Sequence, residues 1–216
     1  MNNKIRAIIF DMDGVLIEAK DWHYEALNKS LGLFGLEITP HEHLTVYDGL
    51  PTKYKLMMFS REKGLSKLLH DFINEMKQQY TMDMVHKFCR PMFHHEYALS
   101  TLKQEGYKLA VASNSIKDSV EVMLDKAKLL CYLDFFISNQ DVNEVKPDPE
   151  MYNLSIYKMG LIPEECLIVE DNENGVRAAK ASGAHVLEVR TVYDVTYDNI
   201  KNKIYEIENA QGGSHD

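Results

Sequence analysis

Five short apolar runs, separated by helical patterns, constrain the fold of this chain more than any other feature. The runs cover residues 5–10, 108–112, 135–138, 166–169 and 185–189. A run that is apolar on both faces is typical of a strand in a parallel sheet that helices cover on both sides. Between the later runs, apolar residues recur at helical spacing, as at Val120, Leu124 and Ala127. The alternation predicts an α/β domain with a doubly wound parallel sheet.

Residues 16–91 interrupt this alternation, because they contain no convincing strand and several helical stripes. Thr39 followed by Pro40 is typical of a helix start, and Thr52 and Ser66 are further candidate caps. We therefore predict an all-α domain of residues 16–91, inserted into a core formed by 1–15 and 92–216. The clearest stripe consists of Leu65, Leu68, Leu69, Phe72, Ile73 and Met76.

Composition and charge limit the classes of partner. The 216 residues are 45% hydrophobic, which suffices for a buried core, and the net charge of −9 disfavours a general electrostatic grip on nucleic acid or an anionic membrane. The early apolar run is too short for a leader or a membrane span. We expect a cytoplasmic protein that binds neither nucleic acid nor a membrane. We also expect a monomer, since two domains can bury each other's apolar faces. The polar, Gly-rich residues 209–216 predict a frayed tail.

Cysteine and histidine spacing gives no metal or redox signature. Cys89, Cys131 and Cys166 are far apart and form no C-x-x-C pair, so reduced and mostly buried thiols are expected. The histidines at 41, 43, 94 and 95 fit no strong ligand pattern, and core or solvated roles are expected for them.

Two carboxylates directly follow the first predicted strand, in the segment Asp11-Met12-Asp13-Gly14. Ligands of open α/β sheets bind at the carboxyl edge, where a carboxylate can attack phosphorus or hold a metal ion. Gly14 permits a sharp turn beneath such a site. An Asp-x-Asp alone is weak evidence, since metal-dependent glycosyltransferases carry one and a surface turn can contain one by chance.

Polar groups also follow three other predicted strands. Ser113-Asn114 follows the second, Lys146 lies in a proline-bounded loop after the third, and Glu170-Asp171 follows the fourth. Each has a structural alternative: a helix cap for Ser113, a solvated lysine, or a capping pair of acids. Adjacent acids that end an apolar run are costly unless a cation offsets them, and Mg²⁺ suits phosphate chemistry best. Four such groups at successive strand ends favour a functional site over capping alone.

These motifs together resemble the haloacid dehalogenase superfamily, in the phosphatase and phosphomutase branch with a helical cap inserted after the first motif. The segment 11–15 matches the first motif, Ser113-Asn114 the second, 146–149 the third, and 170–172 with Gly175 the fourth. The resemblance spans nearly the whole chain. The dehalogenases carry a single acid in the first motif, so Asp13 points to phosphoryl transfer.

The resemblance implies a role for each matched residue. Asp11 is the expected nucleophile, and Asp13 the general acid and base, whose pKa needs raising for the first of these roles. Asp11, Glu170, Asp171 and the Asp13 carbonyl are the expected Mg²⁺ ligands, with Glu170 binding directly or through water. The phosphoryl group is expected to bind Ser113, Asn114 and Lys146, and Lys146 has the expected catalytic role of neutralising charge on this group and on Asp11.

In the inserted domain, residues 47–53 resemble the cap loop that meets the core site in this branch. Gly49, Thr52, Lys53 and His23 are the candidate substrate residues. The β-phosphoglucomutase members carry an arginine three residues after the glycine equivalent to Gly49, where this chain has Thr52 followed by Lys53. This difference weakens a mutase interpretation.

The sequence therefore predicts a magnesium-dependent phosphatase for a small organic phosphate monoester, such as a sugar phosphate. An intramolecular phosphomutase of the β-phosphoglucomutase type is the nearest alternative. A phosphonatase with Lys53 as imine-forming lysine, a receiver domain and a non-catalytic binding protein are weaker alternatives. A receiver domain is far shorter, and its phosphorylated aspartate follows the third strand.

Overall fold

The computed structural model describes residues 4–47 and 50–212. The chain divides into two compact units, one of Met1–Glu18 with Arg90–Asp216 and one of Ala19–Cys89. We call them the core unit and the helical unit. The helical unit begins three residues after the start of the predicted insertion, 16–91, and ends two residues before its end.

The core unit contains one sheet of five parallel strands in the order β3-β2-β1-β4-β5. The α/β class and the doubly wound parallel sheet are confirmed. Strand β2 matches its predicted run, and the ends of the other strands differ from theirs by at most two residues, so that β4 includes Glu170. The strands are β1 (Ala7–Phe10), β2 (Lys108–Ala112), β3 (Phe135–Ile137), β4 (Cys166–Glu170) and β5 (His185–Glu188).

The central strand β1 is buried on both faces, as its sequence predicts. Ala7 and Ile9 belong to a cluster with Tyr152 and Ile156, whereas Ile8 and Phe10 point to the opposite face and are equally inaccessible. Packing fixes the register of this strand, since a slip by one residue would exchange the smaller side chains of one face with the larger ones of the other. The register in turn sets which loops meet at the carboxyl edge.

Five α-helices accompany the sheet in the described part of the core unit. Gly160 ends the helix Glu150–Met159 in the left-handed conformation at φ +65°. The last helix continues to Gly212, so the prediction of a frayed tail from residue 209 is wrong for 209–212; residues 213–216 lie outside the described residues. The helices are α5 (Phe93–Gln104), α6 (Lys117–Lys126), α7 (Glu150–Met159), α8 (Glu173–Ala181) and α9 (Tyr197–Gly212), with a 3₁₀ turn at Val192–Asp194.

The helical unit has no strand among its described residues. Thr39 caps α2 with a capping box that Glu42 completes, as predicted. Thr52, however, is the first residue of α3 rather than its cap, because Pro51 occupies the cap position. The helices are α1 (Lys20–Gly32), α2 (Pro40–Glu42), α3 (Thr52–Glu62) and α4 (His70–Phe88), with a π-helical turn at His43–Tyr47 and a 3₁₀ turn at Lys67–Leu69.

The predicted apolar stripe of residues 65–76 is only partly buried. Leu65 and Ile73 lie in the core of the helical unit, but Leu68 is 92% exposed and Phe72 is 47% exposed. The 3₁₀ turn before α4 has fewer residues per turn than an α-helix. The constant helical period that the stripe assumes does not hold across that turn, so its first members do not share one face.

All three cysteines are free, as expected, but Cys131 is exposed, in contrast to Cys89 and Cys166. Cys131 lies in a short 3₁₀ turn, Leu130–Tyr132, rather than in a strand or a long helix. Among the described residues, no helix combines the length and the apolar character that crossing a bilayer requires.

Candidate active site

The candidate site lies at the carboxyl edge of the sheet, within the core unit. The amide of Asp11 donates to the Val169 carbonyl at 2.9 Å, which extends the pairing of β1 with β4 by one step. Ser113 similarly continues β2, because its amide donates to Ile137 at 2.9 Å. Since the strands are parallel, these residues reach the same edge as Glu170, the last residue of β4.

A tight turn after β1 places the second aspartate beside the end of β2. Gly14 adopts φ +99°, and its amide donates to the Ile17 carbonyl at 2.7 Å. The carboxylate of Asp13 accepts hydrogen bonds at Oδ2 from the hydroxyls of Ser115, at 2.9 Å, and Ser113, at 3.4 Å. Two hydroxyls from the second loop therefore orient this carboxylate.

Lys146 connects three elements of the site through its ammonium group. Nζ donates to Asp11 Oδ1 at 2.6 Å, to Glu170 Oε1 at 2.6 Å and to the Ala112 carbonyl at 2.8 Å. An ammonium has three protons, so these acceptors use its whole donor capacity. Because the side chain is buried, both ion pairs are shielded from solvent screening.

The side chain of Asn114 supports the loop that carries this lysine. Its Oδ1 accepts from the Lys146 amide at 3.2 Å, and its Nδ2 donates to the Lys146 carbonyl at 3.5 Å. Asn139 donates in turn to the Asn114 carbonyl at 2.9 Å. The predicted phosphate contact of Asn114 would therefore involve its backbone amide more readily than its side chain.

Glu170 is held at both carboxylate oxygens. Oε1 accepts from Lys146 and from the hydroxyl of Tyr152, the latter at 2.6 Å, and Oε2 accepts from the amides of Asp171 at 3.0 Å and Asn172 at 3.3 Å. A Cβ added at Gly175 would lie 1.9 Å from Oε1. The predicted glycine of the fourth motif therefore leaves room for this carboxylate.

Burial and charge shift the ionisation of the central pair. Burial raises the pKa of Asp11 well above its usual range, and the carboxylates of Glu170, Asp13 and Asp171 add to this effect, while Lys146 opposes it. Burial acts to lower the pKa of Lys146, but the attraction of Asp11 and Glu170 outweighs it, so that the pKa is raised. The lysine therefore stays charged, and it opposes the effect of burial on Asp11.

The donor set fits a hard divalent cation. Asp11, Glu170 and Asp171 each offer a carboxylate oxygen, and these atoms lie within 4.8 Å of one another. Carboxylate oxygens are the ligands that Mg²⁺ prefers in proteins. Three carboxylates beside one ammonium also carry an excess of negative charge, which a divalent cation would offset.

Three of the predicted substrate residues lie on helices α1 and α3 of the helical unit. Gly49 lies outside the described residues. Thr52 and Lys53 begin α3, Thr52 partly buried and Lys53 exposed. The Nδ1 atom of His23 lies 3.1 Å from Nζ of Lys77, a buried lysine of α4.

Sequence reasoning missed three residues of interest, namely Ser115, Tyr152 and Lys77. Ser115 stands two residues after Ser113, so the Ser-x-Ser spacing was available as a signal for a second hydroxyl. Tyr152 reads as an ordinary apolar position of a helix, and Lys77 as a solvated charge within a polar stretch. Only the structure shows that both are buried.

A sequence profile of the family described as haloacid dehalogenase-like hydrolase matches residues 8–189, which include all four strand-end motifs. The chain belongs to this family. This HAD-like hydrolase is 31% identical over 180 residues to a phosphoglycolate phosphatase of Aquifex aeolicus, covering 83% of this chain and 82% of that protein. It is 27% identical over 196 residues to a phosphorylated carbohydrates phosphatase of Thermotoga maritima, covering 89% and 86%.

Among solved structures, the HAD-like hydrolase is similar to CbbY from Rhodobacter sphaeroides, determined in complex with phosphate. The two share 26% sequence identity with a TM-score of 0.75, and the match covers 84% of each chain. The agreement of profile, relatives and fold establishes the resemblance that the motifs had indicated.

Proposed function

We propose that this HAD-like hydrolase is a magnesium-dependent phosphatase that hydrolyses a small organic phosphate monoester through an aspartyl-phosphate at Asp11. The observation that carries the proposal is the buried contact of 2.6 Å between Lys146 Nζ and Asp11 Oδ1. The lysine orients the carboxylate of Asp11, whose backbone is fixed at the end of β1. It also brings positive charge to the place where a phosphate would bind. The phosphatase names of the two relatives support the same reaction class.

In the first step, a carboxylate oxygen of Asp11 attacks phosphorus, and the bond from phosphorus to the ester oxygen breaks. The departing oxygen takes a proton from Asp13. In the second step, Asp13 accepts a proton from water as the water attacks the aspartyl-phosphate. The Asp11–phosphorus bond then breaks and inorganic phosphate leaves, so that both aspartates return to their starting states.

Asp13 has suitable surroundings for its proposed role as acid and base. Its Oδ2 accepts from Ser115 and Ser113, which hold the carboxyl group in one orientation. A group that moves a proton in both steps must face the same reacting position each time. The two serine hydroxyls, which come from the loop after β2, provide this fixed orientation.

The metal ion proposed here would be held by Asp11, Asp171, the Asp13 carbonyl and Glu170. It would supply positive charge that offsets the carboxylates and the bound phosphate. Because Glu170 already accepts four hydrogen bonds, two at each oxygen, we propose that it supports the ion through water rather than directly. The protein contributes Lys146 as a second, permanent cation.

The transferring phosphoryl group would contact Ser113, the backbone of Asn114, and Lys146. The rest of the substrate would be recognised by Gly49, Thr52, Lys53 and His23. The names of the relatives, which mention phosphoglycolate and phosphorylated carbohydrates, favour a small anionic or polyhydroxylated substrate.

The experiment is a phosphate-release screen over sugar phosphates, phosphoglycolate and p-nitrophenyl phosphate, with excess Mg²⁺ and, in parallel, with chelator. We expect release that needs Mg²⁺ and is lost in Asp11→Asn. Lys180→Met, which alters an exposed lysine, serves as the matched control and should retain activity. Undiminished release after exhaustive chelation would contradict the metal assignment.

The same screen tests the alternatives. Hexose 1-phosphate supplied with a bisphosphate activator should yield free phosphate. Formation of hexose 6-phosphate without phosphate release would instead show a phosphomutase. Binding of substrates with no turnover of any of them would show a binding protein.

A further inference from the structure

Tyr152 lies behind the candidate site, on the first turn of α7. Its side chain is completely buried, and its hydroxyl donates to Glu170 Oε1 at 2.6 Å. A phenylalanine would fill nearly the same space without bringing a polar group into the core, so packing alone does not explain the hydroxyl. Burial and the negative charge of Glu170 raise the pKa of Tyr152 well above its usual range, so the hydroxyl keeps its proton and remains a donor.

The tyrosine contacts both partners of the buried ion pair. Its hydroxyl shares Oε1 of Glu170 with the Lys146 ammonium, and each contact is 2.6 Å long. The ammonium also lies 4.7 Å from the centre of the Tyr152 ring. A cation near an aromatic face is stabilised by the ring. A carboxylate that accepts a hydrogen bond from a hydroxyl group attracts a neighbouring cation less strongly.

Glu170 has little room to adjust if this hydrogen bond is lost. Its Oε2 is held by the amides of Asp171 and Asn172, and the backbone of Gly175 lies close to Oε1. Loss of the tyrosine hydrogen bond would therefore change the interaction of Oε1 with Lys146, its other donor. Because Lys146 divides its protons between Glu170 and Asp11, a stronger pull from Glu170 weakens the contact with Asp11.

We propose that Tyr152 is a positioning residue, whose hydroxyl offsets part of the Glu170 charge and so keeps the Lys146 ammonium shared between Glu170 and Asp11. The inference deepens the proposed function and rests on it, since Lys146 is there the cation that acts on Asp11 and the phosphoryl group. It assigns a function in the site to a residue outside the four motifs.

The kinetic test compares Tyr152→Phe with Tyr157→Phe, which removes a hydroxyl from the same helix at an 82% exposed position. We expect kcat for phosphate release to fall about tenfold in Tyr152→Phe, equivalent to ~1.4 kcal/mol, with KM within about twofold of wild type. Tyr157→Phe should match wild type. An unchanged kcat in Tyr152→Phe would overturn the proposal.

A double-variant cycle separates positioning from general support of the fold. If Tyr152 acts through the Glu170 charge, adding Tyr152→Phe to Glu170→Gln should change kcat by less than about twofold. A loss as large as in the wild-type background would contradict action through Glu170.

A readout that needs no substrate is the proton–nitrogen NMR signal of the Lys146 ammonium, recorded at low temperature in chelator and assigned by its absence in Lys146→Met. Burial and three hydrogen bonds should slow exchange enough to observe it. We expect Tyr152→Phe to shift this signal and Tyr157→Phe to leave it unchanged. An unshifted signal would refute the positioning role even if the protein is an active phosphatase.

This measurement also keeps the two proposals distinguishable. Absence of phosphate release in wild type would refute the proposed function, while the NMR signal would still decide whether Tyr152 positions Lys146. Should Tyr152→Phe fail to fold, replacement of Tyr152 by fluorotyrosine, a stronger donor, should shift the Lys146 signal. The absence of any shift there would refute the role.

Discussion

The ammonium of Lys146 lies 2.6 Å from the carboxylate of Asp11 in buried surroundings, with 4% and 12% of the two side chains exposed. Lys180 and Glu188 make a contact of nearly the same length, 2.7 Å, with 62% and 57% exposed. The geometry of the two pairs is similar, but the energetic consequences of breaking them differ. A buried charge that loses its partner keeps its desolvation cost, whereas an exposed one is rehydrated.

Lys146→Met should therefore destabilise the protein by about 3–5 kcal/mol in chelator, because Asp11 and Glu170 lose the buried cation that pairs with them. Lys180→Met should change stability by less than about 1 kcal/mol. Urea denaturation of both variants at neutral pH provides the comparison. Equal effects of the two substitutions would mean that the buried lysine is not the main compensation for these acids.

Asp13→Asn tests whether Asp13 donates the proton that the leaving group needs. Its loss of kcat should be largest, about 10²- to 10⁴-fold, for alkyl phosphates, whose alkoxide requires protonation. For p-nitrophenyl phosphate, whose leaving group is already stable as an anion, the loss should be clearly smaller. Rates of phosphate release with both substrates give the ratio. Equal losses would exclude Asp13 as general acid.

Gly175→Ala should disturb Glu170, because the new Cβ would lie 1.9 Å from Oε1 and 2.1 Å from the carboxyl carbon. The carboxylate accepts four hydrogen bonds and cannot move without breaking some of them. We expect a destabilisation of about 1–3 kcal/mol in thermal unfolding, together with reduced phosphate release. Gly32→Ala is the matched control, since nothing lies within 4 Å of its added Cβ. A neutral Gly175→Ala would contradict the described packing.

His95 should make stability depend on pH. Burial, the largest influence, lowers its pKa from 6.5 to about 4, and Nε2 lies 2.8 Å from the Val192 carbonyl. The folded state thus favours the neutral ring, so stability falls as pH drops below 6.5, where the unfolded chain takes up the proton first, and the loss levels off near pH 4.

Comparison of wild type with His95→Gln isolates this effect from other acid-sensitive groups. The stability of wild type relative to the variant should decrease by about 3 kcal/mol between pH 7 and pH 4. His41→Gln, at an exposed histidine, should leave the wild-type profile unchanged. A constant difference between wild type and His95→Gln across this range would refute the assignment.

The sequence predicted the sheet and the neighbourhood of Asp11, Ser113 and Glu170 for one physical reason. Runs that are apolar on both faces indicate buried parallel strands, and all such strands end at the same edge. Residues that directly follow a strand are therefore brought together by the sheet, whatever path the connecting helices take. The order of the strands then decides which of these residues are neighbours, and β2 and β4 both lie beside β1.

The side chains that reach this cluster from elsewhere could not be predicted in the same way. The hydroxyl of Tyr152 comes from the first turn of a helix, and its direction depends on how α7 packs against β1 and β2. The support that Asn114 gives to Lys146 depends on the path of a loop. The exposure of Leu68 depends on a 3₁₀ turn that breaks the helical period. These features follow from tertiary packing, which a local sequence pattern does not predict.

The most direct measurement of the proposed chemistry is mass spectrometry of enzyme quenched in acid during turnover with Mg²⁺ and then reduced with borohydride. If Asp11 carries the phosphoryl group, its activated carboxyl is reduced to the alcohol, and the mass change should map to position 11 and be missing from Asp11→Asn. Phosphate release at full rate with no mass change at Asp11 would contradict the covalent route.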